Sequence, residues 1–227
     1  MHKLFSTVVL LIGMCLVGSA GVAGGEKGHG NADETVTRLH HMHTLMNHSL
    51  IMALQGSDLL MHSRMQPPQP LGQLSAAHGK EMIAQGKATL KDVLSGTEMK
   101  MAHEQGRWSD PLMGYTHELG AELLALVDDL EKVELRELSA HQRQIPLNHA
   151  LEMAAEGSNL VMLGGMKMAG PIDERTVRHG RKMIADGRKL WDQAAAAMSQ
   201  QSPAERSFIR HGGKVISLLE KMSALQE

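Results

Sequence analysis

The chain has 227 residues, a formal net charge of -2, 42% hydrophobic and only 2% aromatic residues, one Cys, 18 Met and 14 His. The near-neutral charge excludes a broad basic nucleic-acid footprint, because phosphate binding needs an excess of clustered Lys and Arg. Beyond the first dozen residues the aromatics are Trp108, Tyr115, Trp191 and Phe208, too few for a base-stacking platform. What the composition leaves to be explained is the surplus of thioether and imidazole.

The amino terminus reads as a signal peptide over residues 1–23. Met1-His2-Lys3 forms a short basic start, Val8 to Val17 an apolar core, and Gly21-Val22-Ala23 a small-residue cleavage site. The apolar run is too short to span a membrane. Met14 before Cys15 argues against lipid attachment at that Cys. The expected location is periplasmic or secreted, with no membrane span after cleavage. Removal of 23 residues leaves 204, with 16 Met, 13 His and no Cys. Disulfides, thiolate metal sites and cysteine nucleophiles are then excluded.

Residues 24–36, rich in Gly, Lys and Asp, read as a flexible leader. From there every strong signal is helical: Ala, Leu, Met, Glu, Gln and Lys dominate, and no segment alternates β-branched and aromatic residues. Helices are expected from about Thr37 to Ser63, closed by Pro67-Pro68-Gln69-Pro70, and from about Gly72 to Leu94. A third opens at Asp110-Pro111, an N-cap followed by Pro at the first helical position, and runs to about Lys132. Three more follow, from Pro146 to about Leu163, from Asp173 to Met198, and after the capping-box pattern Ser202-Pro203-Ala204-Glu205.

The second trio repeats the first at an offset of 101 residues. Asn47-His48 matches Asn148-His149, Gly56-Ser57 matches Gly157-Ser158, and His78-Gly79 matches His179-Gly180. Comparing 46–90 with 147–191 gives 17 identities in 45 positions, which marks an internal duplication. The expected fold is therefore an all-α helical bundle of two tandem, similar three-helix repeats, at 37–134 and 135–227. Glycines 56, 79 and 86 recur at 157, 180 and 187 although each costs a helix about 1 kcal/mol relative to Ala. Either helices cross closely there, or a bulky group needs room.

Recurrence also serves as a filter on the unusual residues. His48, Met52, Met61, Met65, His78 and Met82 recur as His149, Met153, Met162, Met166, His179 and Met183, whereas His41, His43, His62 and His103 do not. His48 and Met52, like His78 and Met82, are four residues apart, which stacks them on one helix face. His48 is placed in an apolar stripe with His41, Leu45, Met52, Gly56 and Leu59. Two such His-Met pairs facing each other would offer two imidazoles and two thioethers, a donor set for Cu(I) and a poor one for Zn(II), Mg(II) or Ca(II). The expected metal ligands are His48, Met52, His78, Met82, His149, Met153, His179 and Met183, and the expected function is to bind or buffer copper.

Other readings stand beside this one. Met at helical spacing is also an adaptable core filler, retained in both halves because both pack alike. A helical bundle can hold b-type haem by His/Met or bis-His ligation, and a Met-rich helical protein can serve as a non-catalytic module contacting another periplasmic protein. Leu39-His40-His41-Met42-His43 reads as a solvated helix start with weak affinity for Cu(II) or Ni(II). Met99-Lys100-Met101-Ala102-His103 resembles Met-x-Met copper-capture segments. No Ser/His/Asp set, phosphate loop, Glu-x-x-His motif or paired-carboxylate signature occurs, so no enzyme is expected.

Overall fold

A computed structural model describes residues 30–65, 70–97, 99–100, 111–132, 138–166, 170–198 and 201–226. The signal segment 1–23 lies outside the described residues, as do Met101, His103 and Asp110. The fold is all-α. Six helices follow one another: α1 Gly30–Met65, α2 Pro70–Ser95, α3 Pro111–Lys132, α4 Leu138–Gly165, α5 Pro171–Ala196 and α6 Pro203–Ala224. Four of them begin at Pro, whose fixed φ suits the first turn and whose missing N–H would be unpaired there anyway. At α6 the Ser202 hydroxyl accepts from the Glu205 N–H while the Glu205 carboxylate accepts from the Ser202 N–H, closing the expected capping box.

Two helix starts differ from the sequence reading. The leader expected at 24–36 is helical from Gly30, so α1 has 36 residues and runs about 54 Å. Helix α4 begins at Leu138, two turns ahead of Pro146, which sits inside it. There the proline ring leaves the Gln142 carbonyl without its intrahelical donor. In α4 the added turns bury His141 and Gln144, and that burial outweighs the weak local start signal.

Helices α1 and α2 form one antiparallel hairpin and α4 and α5 another. Helix α1 packs on α4, α3 packs on α6, and each third helix closes against its own hairpin. The core lies among α1, α3, α4 and α6, where Met46, Leu50, Leu54, Leu119, Leu123, Leu126, Leu147, Leu151, Phe208 and Leu219 are fully buried. Helix α2 flanks this core and buries little beyond Gly79, Ile83, Gly86 and Leu90.

The recurrent glycines hold the hairpins together. A Cβ at Gly56 would lie 2.6 Å from the Gly79 carbonyl oxygen, and one at Gly86 would lie 2.5 Å from that of Ser49. In the second hairpin a Cβ at Gly157 would lie 2.6 Å from the Gly180 oxygen, and one at Gly187 would lie 2.7 Å from that of Ala150. The partner backbone fills the space a side chain would take. Of the two explanations left open by the sequence, close crossing is the one observed, and these glycines make no room for a bulky group.

No described helix is long and apolar enough to cross a membrane.

Candidate functional site

The eight sequence-predicted ligands fall on the margins of the hairpins. His48, His78, His149 and His179 are exposed, and Met52, Met82, Met153 and Met183 are half-buried. His78 Nδ1 lies 3.9 Å from Glu81 Oε2 and His149 Nδ1 lies 3.8 Å from Glu152 Oε2, with imidazoles 61% and 62% exposed. Met82 and Met183 lie at the hairpin crossings, each Cβ 2.9 Å from the point a Cβ on Gly56 or Gly157 would occupy. Of the stripe His41, Leu45, His48, Met52, Gly56 and Leu59, the two histidines are exposed, Leu45, Met52 and Leu59 are half-buried and Gly56 is buried against α2. The apolar residues of that helix face α3 and α4 through Leu39, Met42, Met46, Leu50 and Leu54. Among the described residues no three His, Cys, Asp or Glu side chains converge closely enough to hold a metal ion, so the four predicted imidazoles form no shared cage.

The imidazoles that are buried are others: His40, His43 and His141. The segment read as a solvated helix start is thus in the interior, because α1 begins at Gly30 and carries residues 39–43 into contact with the rest of the bundle. Thr116 donates its hydroxyl to the Leu112 carbonyl at 2.7 Å and receives the His43 Nε2–H at 2.5 Å. That arrangement puts the His43 proton on Nε2 and leaves a lone pair on Nδ1, an atom that is buried and has no hydrogen-bond partner. Burial, reinforced by the nearby His40, holds the His43 pKa down to about 3, so this imidazole is neutral. His40 is also shifted down by burial, against a weaker opposing contribution from Gln226, whose amide nitrogen lies 3.3 Å from its Nε2.

Thioethers flank this imidazole and its partner Thr116 along the chain. Leu39, Met42, Met99 and Met113 are buried and pack into one cluster, with Val93, Leu94 and Leu112 against it. Leu39 is one helical turn before His43, Met42 is its chain neighbour, and Met113 is one turn before Thr116. Three buried Met side chains and a neutral imidazole therefore lie where α1, α3 and the stretch after α2 meet. All four donors are uncharged, and thioether with imidazole is a soft set that ranks Cu(I) above harder cations.

A second polar feature runs along the antiparallel α1–α4 contact and follows the duplication. Asn47 Nδ2 donates to Asn159 Oδ1 at 2.8 Å, and Asn148 Nδ2 donates to Asp58 Oδ1 at 2.7 Å. Both partners of the first bond map onto the second at the offset of 101. Gln144 donates to Asn148 Oδ1 at 2.8 Å, and His62 packs edge-on against His141 with ring centroids 5.2 Å apart. Burial raises the Asp58 pKa, opposed by Asn148, His62, His141 and His149. Burial and the Asp58 charge raise that of Glu152.

The α3–α6 contact is ionic at its centre. His211 Nδ1 lies 2.5 Å from Glu122 Oε2, and Lys214 donates to Glu122 Oε1 at 2.8 Å. Both Glu122 oxygens and both of their partners are satisfied in this contact, so it reads as structural pairing.

The buried histidines carried a sequence signal that the comparison of 46–90 with 147–191 did not reach. His40 and His141 are identical at the same offset, six residues before that window opens. The 39, 42, 43, 46, 50 spacing of Leu39, Met42, His43, Met46 and Leu50 is also that of a buried helix face. Nothing in the sequence signals that Met99 and Met113, 14 residues apart, meet Met42. No known protein family, curated protein or solved structure matches the chain.

Proposed function

We propose that this chain is a non-catalytic copper-binding protein of the periplasm or cell exterior, holding Cu(I) through Met and His side chains and so buffering it. The observation that carries the reading is the packing of Met42, Met99 and Met113 into one buried cluster. Thioethers are weak ligands for Zn(II), Mg(II) and Ca(II) but good ones for Cu(I). They need no deprotonation, so such binding persists at acid pH. The signal-peptide pattern at residues 1–23 supplies the location, and the absence of any Cys beyond Cys15 makes thioether the only sulfur donor of the mature chain.

A second reading, a metal-free module that binds another protein, is supported by Leu71 and Ile172. They are 66% and 59% exposed at positions equivalent under the offset. Anaerobic competition of the purified protein against a chromophoric Cu(I) chelator separates the two. The copper reading expects at least one equivalent withdrawn from the chelator. No withdrawal by a folded, helical protein overturns it and leaves the partner-binding reading, and a Soret band in freshly isolated protein would point to haem.

A further inference from the structure

We infer that Met42, Met99, Met113 and the Nδ1 atom of His43 are the ligands of one buried Cu(I) site at the α1–α3 junction, with Thr116 as the residue that positions the imidazole. This rests on the copper reading above and deepens it by naming the site. It departs from the recurring residues, because none of these four ligands is repeated. Arg143, Gln144 and Gln200 stand at the positions corresponding to Met42, His43 and Met99.

Three independent features point to this place. The thioether side chains are already packed together, since Met42, Met99 and Met113 come from three separate stretches of chain and are all buried in one cluster. The imidazole is already oriented, because the Thr116 hydroxyl, fixed by the Leu112 carbonyl, holds Nε2–H and leaves Nδ1 unprotonated. A ligating His commonly has its second nitrogen anchored in this way. The lone pair has no other use, for His43 is fully buried and Nδ1 has no hydrogen-bond partner, and a buried polar atom without one is costly. A cation at Nδ1 satisfies it.

The charge of the site selects the cation. Four neutral donors leave the full ionic charge in a dry environment, and the cost of burying it rises steeply from one charge to two. Cu(I) and its redox-inert analogue Ag(I) fit. Cu(II) and Zn(II) are disfavoured both by that charge and by the thioethers. Binding is simple coordination, with no bond broken and no electron transferred.

The test uses the full chain under anaerobic, reducing conditions with Cu(I), and with Ag(I) as a spectroscopic probe. Replacing the three sulfurs together, Met42→Leu, Met99→Leu and Met113→Leu, keeps volume nearly constant. We expect a loss of one equivalent of Cu(I), or a drop in its affinity of 100-fold or more, with helicity unchanged. Replacing Met52, Met82, Met153 and Met183 by Leu should leave that equivalent in place. In wild-type protein labelled with 13C at the Met methyls, one equivalent of Ag(I) should shift the resonances of Met42, Met99 and Met113 ahead of all others, a readout that needs no variant to fold. If the wild type binds Cu(I) and the triple variant binds it equally well, the site is wrong while the copper reading stands. If the wild type binds none, both fall.

Discussion

The two ends of the α1–α4 contact are related by the duplication, yet they differ in chemistry. At the second-repeat end, Gln144 donates to Asn148, and Arg143 lies 3.7 Å from Glu205, the residue that also caps α6. At the first-repeat end the corresponding positions are Met42, packed with Met99 and Met113, and the buried His43; each end leaves an imidazole nitrogen unpaired, His43 Nδ1 here and His141 Nδ1 there. Between the two ends the paired bonds Asn47–Asn159 and Asn148–Asp58 keep the same register. The scaffold is what the two copies share, and the Met42, Met99 and Met113 cluster lies where they have diverged. A repeat used as a filter retains what the two copies share and passes over residues, such as Met42 and His43, that break the symmetry.

The largest expected effects test the shared half of this comparison. Gly56→Ala and Gly157→Ala each drive a methyl group onto the carbonyl of the facing glycine, and each should cost about 1–3 kcal/mol in urea unfolding. Similar losses in both hairpins support an equivalent role, and a loss confined to one breaks it. Gly114, with nothing near its added Cβ, should instead gain about 0.5–1 kcal/mol as Ala.

Intermediate effects separate the two ends through pH. The folded pKa of His43 is lowered to about 3, so the unfolded chain binds more protons there. This neutral imidazole favours the fold above about pH 6.5, and its contribution is lost progressively as pH falls towards 3. His43→Gln should flatten the decline in stability between pH 6.5 and 5 in metal-free protein, as followed by denaturant midpoints. At the other end the signs reverse. The folded pKa of Asp58 is raised, so its contribution is present below the ordinary carboxylate range and is lost as pH rises. Asp58→Asn, which supplies the residue found at the equivalent position 159, should raise the denaturation midpoint at pH 7. The gain should shrink as pH falls through the Asp58 titration, and an equal gain at both pH values would exclude the titration as its cause.

The smallest effects belong to the exposed histidines. His78→Ala and His179→Ala should change stability by less than about 0.5 kcal/mol, since each side chain lies on the outer margin of its hairpin. A larger loss would show that recurrence at these positions reflects more than surface.

The helical class, four of the helix starts and the close crossing implied by Gly56, Gly79, Gly157 and Gly180 were legible in the sequence. Proline, capping boxes and backbone contact act locally and recur in both copies. The early starts of α1 and α4 were not; at α4, burial of His141 and Gln144 stabilises turns that lack a strong local signal. The exposure of His48 and the burial of His43 were assigned the wrong way round, since α1 carries apolar residues on nearly every face and periodicity alone does not say which one meets α3. The Met42–Met99–Met113 cluster depends on long-range packing that no spacing reports.

The most direct test of the central claim is the Cu(I) affinity and stoichiometry of the Met42→Leu, Met99→Leu, Met113→Leu variant beside the Met52→Leu, Met82→Leu, Met153→Leu, Met183→Leu variant. The first should lose one equivalent of tightly held Cu(I) and the second retain it. Loss from the second with retention by the first would return the function to the repeated residues and rule out the α1–α3 site.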